Sequence, residues 1–505
     1  MSRPRAAAPA KVSPAPAPGA PPGPAIAWLD PRAPYLAPLL LLVACRAFMA
    51  TRIEFASEDA LITFRYAWNW AHGLGPVFNA GERVFGYTSP PWMAWITLGI
   101  KLGADPLAWA RVTLVIADAV SLVCAASLLE RHASRASAWT FAVFLAAWPY
   151  FAALACSGLE TGAMVSLVLA GAWLVDRRHP AAGAAIGLLA VFRPEGLLAA
   201  LVLALWASWR DRGVALAIVA AVAAALGAYY GSPFAQSVLA KRVVYGAPGP
   251  LAAPQWWIWA TPLPATPAQG VPADVVNLAM FTLVALPAAV MALPDLWAKR
   301  SGALAAAVAS LGAVWLALAA VGASYFYWYL AAPAAAWGLL AGAGLPKVAR
   351  GRALGVMLAL ALAAHWWFEP RLYSGRANTE GLAFGAVGDY VAARARPGES
   401  LLLEPIGTIG WRNRSLRIVD EVGLVSPEAT RCRRDGPGWY ARLLASRRPD
   451  WLMMRAGLLR GAAFAGQPAP FTDPAQQAQA LAPYAIVAAS DSTQGDQALV
   501  IMHRR

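Results

Sequence analysis

Long apolar runs separated by short polar junctions fill the first three-quarters of the chain, and their lengths suit helices rather than strands. The runs predict eleven membrane-spanning helices, near 34–51, 107–129, 137–153, 161–176, 180–192, 195–209, 213–230, 276–295, 303–321, 326–344 and 350–367. Several are shorter than the ~20 residues a bilayer asks for, which Ala-rich helices inside a bundle can tolerate. The apolar stretch 91–104 is not counted as a span, because a crossing there would invert every later loop. It is expected to lie flat at the outer interface or to re-enter. After Trp367 the pattern changes. Residues 378–505 predict an apolar-periodic helix over 382–395 and short strands near 400–404, 416–419, 450–455, 484–488 and 497–502. The expected fold class is an all-α polytopic membrane bundle with a C-terminal α/β extracytoplasmic domain. Residues 1–32 read as a disordered Ala/Pro-rich cytoplasmic tail, 33–367 as the transmembrane domain and 378–505 as the outer domain.

Composition narrows the class further. Of 505 residues, 59% are apolar and 13% charged, against roughly 25% charged in an ordinary globular chain. A wholly soluble protein, a disordered chain, a disulfide scaffold and a collagen-like repeat are excluded. The net charge of +14 resembles a nucleic-acid signal until the charges are placed. Arg131/Arg135, Arg177/Arg178, Arg210/Arg212, Lys299/Arg300 and Lys347/Arg350/Arg352 fall at every second junction. Such loops stay cytoplasmic, so no nucleic-acid partner is expected. The N-terminus is then cytoplasmic and the C-terminal domain periplasmic, in a multi-pass inner-membrane protein. The first apolar run lacks a small-residue cleavage site and reads as an anchor. Cys45, Cys124 and Cys156 lie in or beside apolar runs, and no CxxC or Cys/His spacing suggests a metal site.

The junctions left for the outer face hold nearly all the unusual chemistry. The first contains Ser57-Glu58-Asp59, Thr63, Arg65, Tyr66 and Asn69, then Gly81-Glu82-Arg83, Phe85-Gly86-Tyr87-Thr88-Ser89. On a helix Glu58, Ile62, Arg65 and Asn69 share one face, with Asp59, Thr63 and Tyr66 beside it. The alternative is local: Ser57 as an N-cap, with the acids favoured by the helix dipole. Ser157-Gly-Leu-Glu160-Thr places another carboxylate at the outer end of a span. Arg193-Pro-Glu195-Gly places an arginine and a carboxylate at a helix break, where ionisable residues at membrane depth are functional by default. The alternative is that the two only pair with each other and cap the turn. Tyr230 leads to Gln236 and Lys241, whose ammonium could instead snorkel to the headgroups. Tyr325–Tyr329 and the Trp256, Trp257, Trp259 cluster in the long outer loop 229–275 suit a membrane interface. Together these groups fit one site. Carboxylates supply a base and bind sugar hydroxyls, cations stabilise a departing phosphate, and aromatics stack on a sugar or an isoprenoid. No phosphate loop or GxGxxG follows a strand, so a soluble nucleotide donor is not supported.

The run Glu58-Asp59, Thr63-Phe64-Arg65-Tyr66, Asn69, Phe78-Asn79, Gly81-Glu82-Arg83-Val84 and Gly86-Tyr87-Thr88-Ser89 resembles the first outer loop of bacterial GT-C glycosyltransferases. The similarity is greatest to the branch of the mycobacterial terminal β-arabinofuranosyltransferase. Ser157–Thr161, Arg193–Gly196, Tyr230 with Lys241, Trp328-Tyr329 with Pro333, Gly407 with Gly410, Asp420 with Gly423-Leu424-Val425, and Pro449-Asp450-Trp451 resemble later motifs in the same order. The resemblance spans about 40 to 455. It implies transfer of a sugar from a polyprenyl-phosphate donor to a cell-envelope glycan or lipid acceptor on the outer face, usually with inversion. It also implies that the catalytic carboxylate is Glu58 or Asp59. Relatives carry two aspartates there, which favours Asp59 as the base, with Glu58 binding the acceptor or a divalent cation. Phe85 stands where many relatives carry an acid, so arabinosyl specificity is not carried over. Arg193, Lys241 and Arg65 are assigned to the donor phosphate. Glu160, Glu195, Tyr66, Tyr87, Tyr230 and Gln236 are assigned to sugar and acceptor. The competing class is a transporter or flippase of lipid-linked sugars, which broken helices and midplane charges also suit. The absence of an internal helix repeat and the large outer domain weigh against it.

Overall fold

The structure, a computed structural model, describes residues 35–245, 285–298, 302–320, 326–349, 351–463, 467–489 and 498–505. The expected tail 1–32, the tryptophans of the long outer loop and Tyr325 lie outside the described residues. Helices α1 (Leu36–Ala50), α2 (Glu58–Ala71), α3 (Pro90–Lys101) and α4 (Pro106–His132) open the chain, followed by α5 (Arg135–Ala147) and α6 (Pro149–Ser157). Next come α7 (Thr161–Asp176), α8 (Ala182–Phe192), α9 (Pro194–Ala204), α10 (Trp209–Tyr230) and α11 (Gln236–Tyr245). The last bundle helices are α12 (Leu286–Ala298), α13 (Ala303–Ala320), α14 (Ala331–Val348) and α15 (Gly351–Ala392).

Helices fall on the expected spans. Among the described residues, four are long and apolar enough to cross a membrane, or five if the bent pair α5–α6 is one span. The bend is 52° and sits at Pro149, whose ring and missing N–H interrupt the helix ladder. The 12-residue α3 is too short to cross. One expectation fails. Two helices with a break after Trp367 are replaced by a single 42-residue helix running through Pro370. A proline inside a helix bends it without ending it when neighbouring turns persist.

The bundle packs closely because its helices are rich in Ala and Gly. A Cβ on Gly344 of α14 would fall 1.7 Å from the Ala288 carbonyl of α12, so only glycine permits that approach. Leu40, Val112, Ile116, Leu201, Leu216 and Leu316 point outward and stay exposed, as lipid-facing side chains do. At one end of the bundle, His132 lies 2.8 Å from Asp176 and Lys347 2.8 Å from Asp295.

At the chain's C-terminal side, strands β1 (Ser400–Leu403), β2 (Arg417–Asp420), β3 (Trp451–Arg455), β4 (Tyr484–Ala489) and β5 (Leu499–Arg504) form one sheet in the order β2-β1-β3-β5-β4. β2, β1 and β3 run parallel, while β5 is antiparallel to both β3 and β4. Period-2 alternation divides the strands between two cores. Leu401, Leu403, Ile418, Met453 and Ile501 join the core shared with the bundle. Leu402, Val419, Leu452, Met454 and Met502 pack instead with Trp439, Tyr440 and Leu443 of the helix Trp439–Arg447. The sheet is therefore seated on the bundle by one whole face, and this fixes the crevice between them.

Candidate active site

The first turn of α2 presents Glu58 and Asp59 at the junction of bundle and sheet. Ser57 occupies the N-cap position without a side-chain cap bond. Its N–H donates instead to the Ser157 carbonyl at 2.8 Å, tying the first two outer loops together. Asp59 Oδ2 accepts a hydrogen bond from Lys241 Nζ of α11 at 2.9 Å. The same ammonium sits 4.8 Å from the Phe326 ring centroid and 5.6 Å from that of Trp328, where a cation is attracted to the π faces.

Arg193 lies at the break between α8 and α9. The proline that follows disfavours helical geometry for it, and its backbone is extended. That break turns the side chain inward. The guanidinium is buried and pairs with Glu160, and its Nε donates to Glu195 Oε1 at 2.6 Å. Thr88 Oγ1 donates to Glu160 at 3.2 Å. Asp59, Tyr87, Thr88, Glu160, Arg193 and Lys241 line one small cavity of about 40 Å³, together with Ser237, Trp328 and Tyr329. Three residues from three distant stretches of sequence thus meet: Asp59 and two of the three residues assigned to the donor phosphate, Arg193 and Lys241. Sequence reasoning did not single out Ser237. Its Oγ is buried and makes no hydrogen bond, a cost of roughly 1–3 kcal/mol unless a ligand or water uses it.

A second, larger cavity of about 240 Å³ adjoins the first. Asp59 and Trp328 line both. Its bundle wall includes Glu58, Phe326, Tyr327 and Tyr373, and its sheet wall includes Glu404, Thr408 and Arg455.

Several assigned residues do other work. Glu58 accepts hydrogen bonds from the backbone N–H groups of Gly407 and Thr408 and from Thr408 Oγ1 at 2.6 Å. Its carboxylate ties the sheet side to α2. Burial pushes the Glu58 carboxyl up to about 7, against those hydrogen bonds, and the neighbouring Asp59 charge adds to the rise. Arg65, assigned to the donor phosphate, lines neither cavity. It is buried, and it donates to the carbonyls of Phe78, Gly410 and Leu416 at 2.8, 2.6 and 2.7 Å. Tyr66 is enclosed, donating to Val84 O at 2.7 Å and accepting from Gly86 N at 3.0 Å. Tyr230 donates to the Pro76 carbonyl and meets Tyr87 Oη at 3.1 Å. Gln236 donates to Gly423 O and Thr430 Oγ1, both at 3.1 Å. Glu195 lines neither cavity and acts on Arg193. In this structure these side chains hold neighbouring segments together, and Tyr66, Tyr230, Gln236 and Glu195 line neither cavity. The resembling motif Gly407-x-x-Gly410 has the same explanation. A Cβ on Gly407 would fall 2.0 Å from the Glu58 carbonyl, and one on Gly410 3.3 Å from Arg65.

A divalent cation does not fit. Glu58 is occupied by three donors and Asp59 by an ammonium. Among the described residues no three His, Cys, Asp or Glu side chains gather around a point.

A family model described as a domain of unknown function (DUF8728) matches residues 371–500. No curated protein matches the chain. Among solved structures, ArnT from Cupriavidus metallidurans bound to undecaprenyl phosphate aligns over 92% of this chain and 97% of its own, with a TM-score of 0.57 and 14% identity. The Archaeoglobus fulgidus oligosaccharyltransferase in its apo form aligns over 86% of this chain and 71% of its own, with a TM-score of 0.52 and 12% identity. Both are GT-C glycosyltransferases. The chain has the GT-C fold. Within that fold the acids of the first loop lie where bundle and sheet module meet, and the two cavities open from that point.

Proposed function

We propose that this chain is an integral-membrane glycosyltransferase that moves a sugar from a polyprenyl-phosphate donor to a cell-envelope glycan or lipid acceptor. The observation that carries the reading is the meeting of Asp59, Lys241 and Arg193 in one cavity. In the reaction, Asp59 takes the proton from an acceptor hydroxyl as its oxygen attacks the anomeric carbon. The bond from that carbon to the phosphate oxygen breaks, and the polyprenyl phosphate leaves with the electron pair. Lys241, Arg193 and the unpartnered Ser237 hydroxyl stabilise the leaving charge. One displacement inverts the anomeric centre. The Asp59–Lys241 contact orders the events: a phosphate that takes over Lys241 releases Asp59 to act as base.

The bundle carries the chain across the inner membrane, with the N-terminal tail cytoplasmic and residues 378–505 periplasmic. The basic end of the bundle is then cytoplasmic, as the positive-inside rule requires, and both cavities face outward. ArnT, of the same fold, has been seen with undecaprenyl phosphate, which supports a lipid-linked donor.

The test uses the full-length protein in nanodiscs, a panel of synthetic polyprenyl-phosphate pentoses and hexoses, and envelope glycan as acceptor. Transfer of label to glycan, lost in Asp59→Asn, is expected. Movement of the intact lipid-linked sugar across sealed vesicles without transfer would identify a flippase instead.

A further inference from the structure

The carboxyl ends of two parallel strands reach the crevice above the bundle: Glu404 follows β1 and Arg455 ends β3. In α/β sheets this edge is where ligands bind. Glu404 and Arg455 line the larger cavity, opposite Glu58 and Asp59. They form a side-on ion pair, with Arg455 Nε 2.9 Å and Nη2 2.7 Å from Glu404 Oε2. Both side chains keep about a fifth of their surface accessible, 23% and 19%.

Of the larger cavity's polar lining, Asp59 is paired with Lys241, Glu404 with Arg455, and Glu58 is held by Gly407 and Thr408. Its one lining guanidinium is thus already matched by a carboxylate, whereas Arg193 and Lys241 line the smaller cavity. A neutral polyol is suited. Adjacent sugar hydroxyls both donate and accept, so a diol can bridge a carboxylate and a guanidinium set side by side. Phe326 and Trp328 supply the apolar surface for the ring's C–H face, stacked at 4.8 Å between centroids with 16° between planes. The cavity, about 240 Å³, has room for a sugar unit.

We infer that the sheet module forms the acceptor subsite of the larger cavity, in which the Glu404–Arg455 pair selects a neutral sugar unit by its vicinal hydroxyls. The role as acceptor, though not the binding itself, rests on the transferase reading above. The unit enters between sheet and bundle and presents one hydroxyl to Asp59 at the wall common to both cavities.

The experiment titrates full-length protein in nanodiscs with methyl pentofuranosides and methyl hexopyranosides, reading tryptophan fluorescence. Saturable binding by at least one glycoside is expected. Glu404→Gln and Arg455→Gln are expected to raise its Kd at least tenfold. Arg455→Lys keeps the charge and removes only the planar fork, so it is expected to weaken binding with an unchanged unfolding midpoint. Wild-type affinity in all the folded Glu404 and Arg455 variants, or no saturable binding by any glycoside, would overturn the assignment. Transfer activity without such binding would sink this inference and leave the transferase reading. Glycoside binding without transfer from any polyprenyl-phosphate sugar would do the reverse.

Discussion

Asp59 is the one acid of the first loop whose carboxylate faces both cavities, and its partner is a cation rather than the backbone. Replacing Lys241 by Met is expected to weaken donor binding by roughly 10- to 100-fold, the range for losing a charged hydrogen bond, as a higher donor KM in the labelled-transfer assay. Glu58 behaves differently. Its folded pKa of about 7 lies above the ordinary glutamate value near 4.5. Below 4.5 both folded and unfolded forms are protonated, and the group costs nothing. As pH rises from 4.5 to 7 the unfolded chain ionises first, so stability falls, and it levels off above 7. Thermal unfolding between pH 4 and 8 is expected to follow that slope in wild type and to lose it in Glu58→Gln. The sequence made the acidic pair legible but not the division of labour, because the partners at Lys241 and Gly407 lie 182 and 349 residues away. Arg65 illustrates the same limit. Its place on a helix face beside the acids suggested a phosphate ligand, whereas its carbonyl partners at Gly410 and Leu416 exist only once the sheet is docked.

Helix periodicity and run length located the bundle elements well, since burial in a membrane-like bundle writes itself as unbroken apolar stretches. What periodicity could not supply was the continuity of α15 through Pro370, which depends on packing along the whole helix. It also missed Arg46 of α1 and Asp118 of α4. Arg46 Nη2 lies 2.8 Å from Asp118 Oδ2, both are buried, and the same guanidinium donates to the Leu145 and Ala146 carbonyls. Those carbonyls are freed by the bend at Pro149, so the arginine satisfies what the proline breaks. Its role is structural. Asp118→Ala leaves a buried cation and is expected to cost about 3–5 kcal/mol in denaturant unfolding in detergent, whereas Arg46→Met with Asp118→Leu is expected to recover much of that loss.

Sheet and bundle work as one body because they share a core and a crevice. Gly407→Ala forces the sheet side away from Glu58. Faster amide exchange is expected over residues 407–412, together with loss of activity, while exchange within the bundle stays unchanged. The five strands were readable from alternation and turn residues. Their order, and the face laid on the bundle, were not, because they depend on contacts between Ile409, Val391 and the helices beneath. The central claim is that Asp59 acts as base against a phosphate held by Lys241 and Arg193. Its most direct test is single-turnover sugar transfer by Asp59→Asn, measured beside binding of the same polyprenyl-phosphate sugar. The expected result is donor affinity within a fewfold of wild type, with the transfer rate lowered about 10²- to 10⁴-fold. A transfer rate equal to wild type would contradict it.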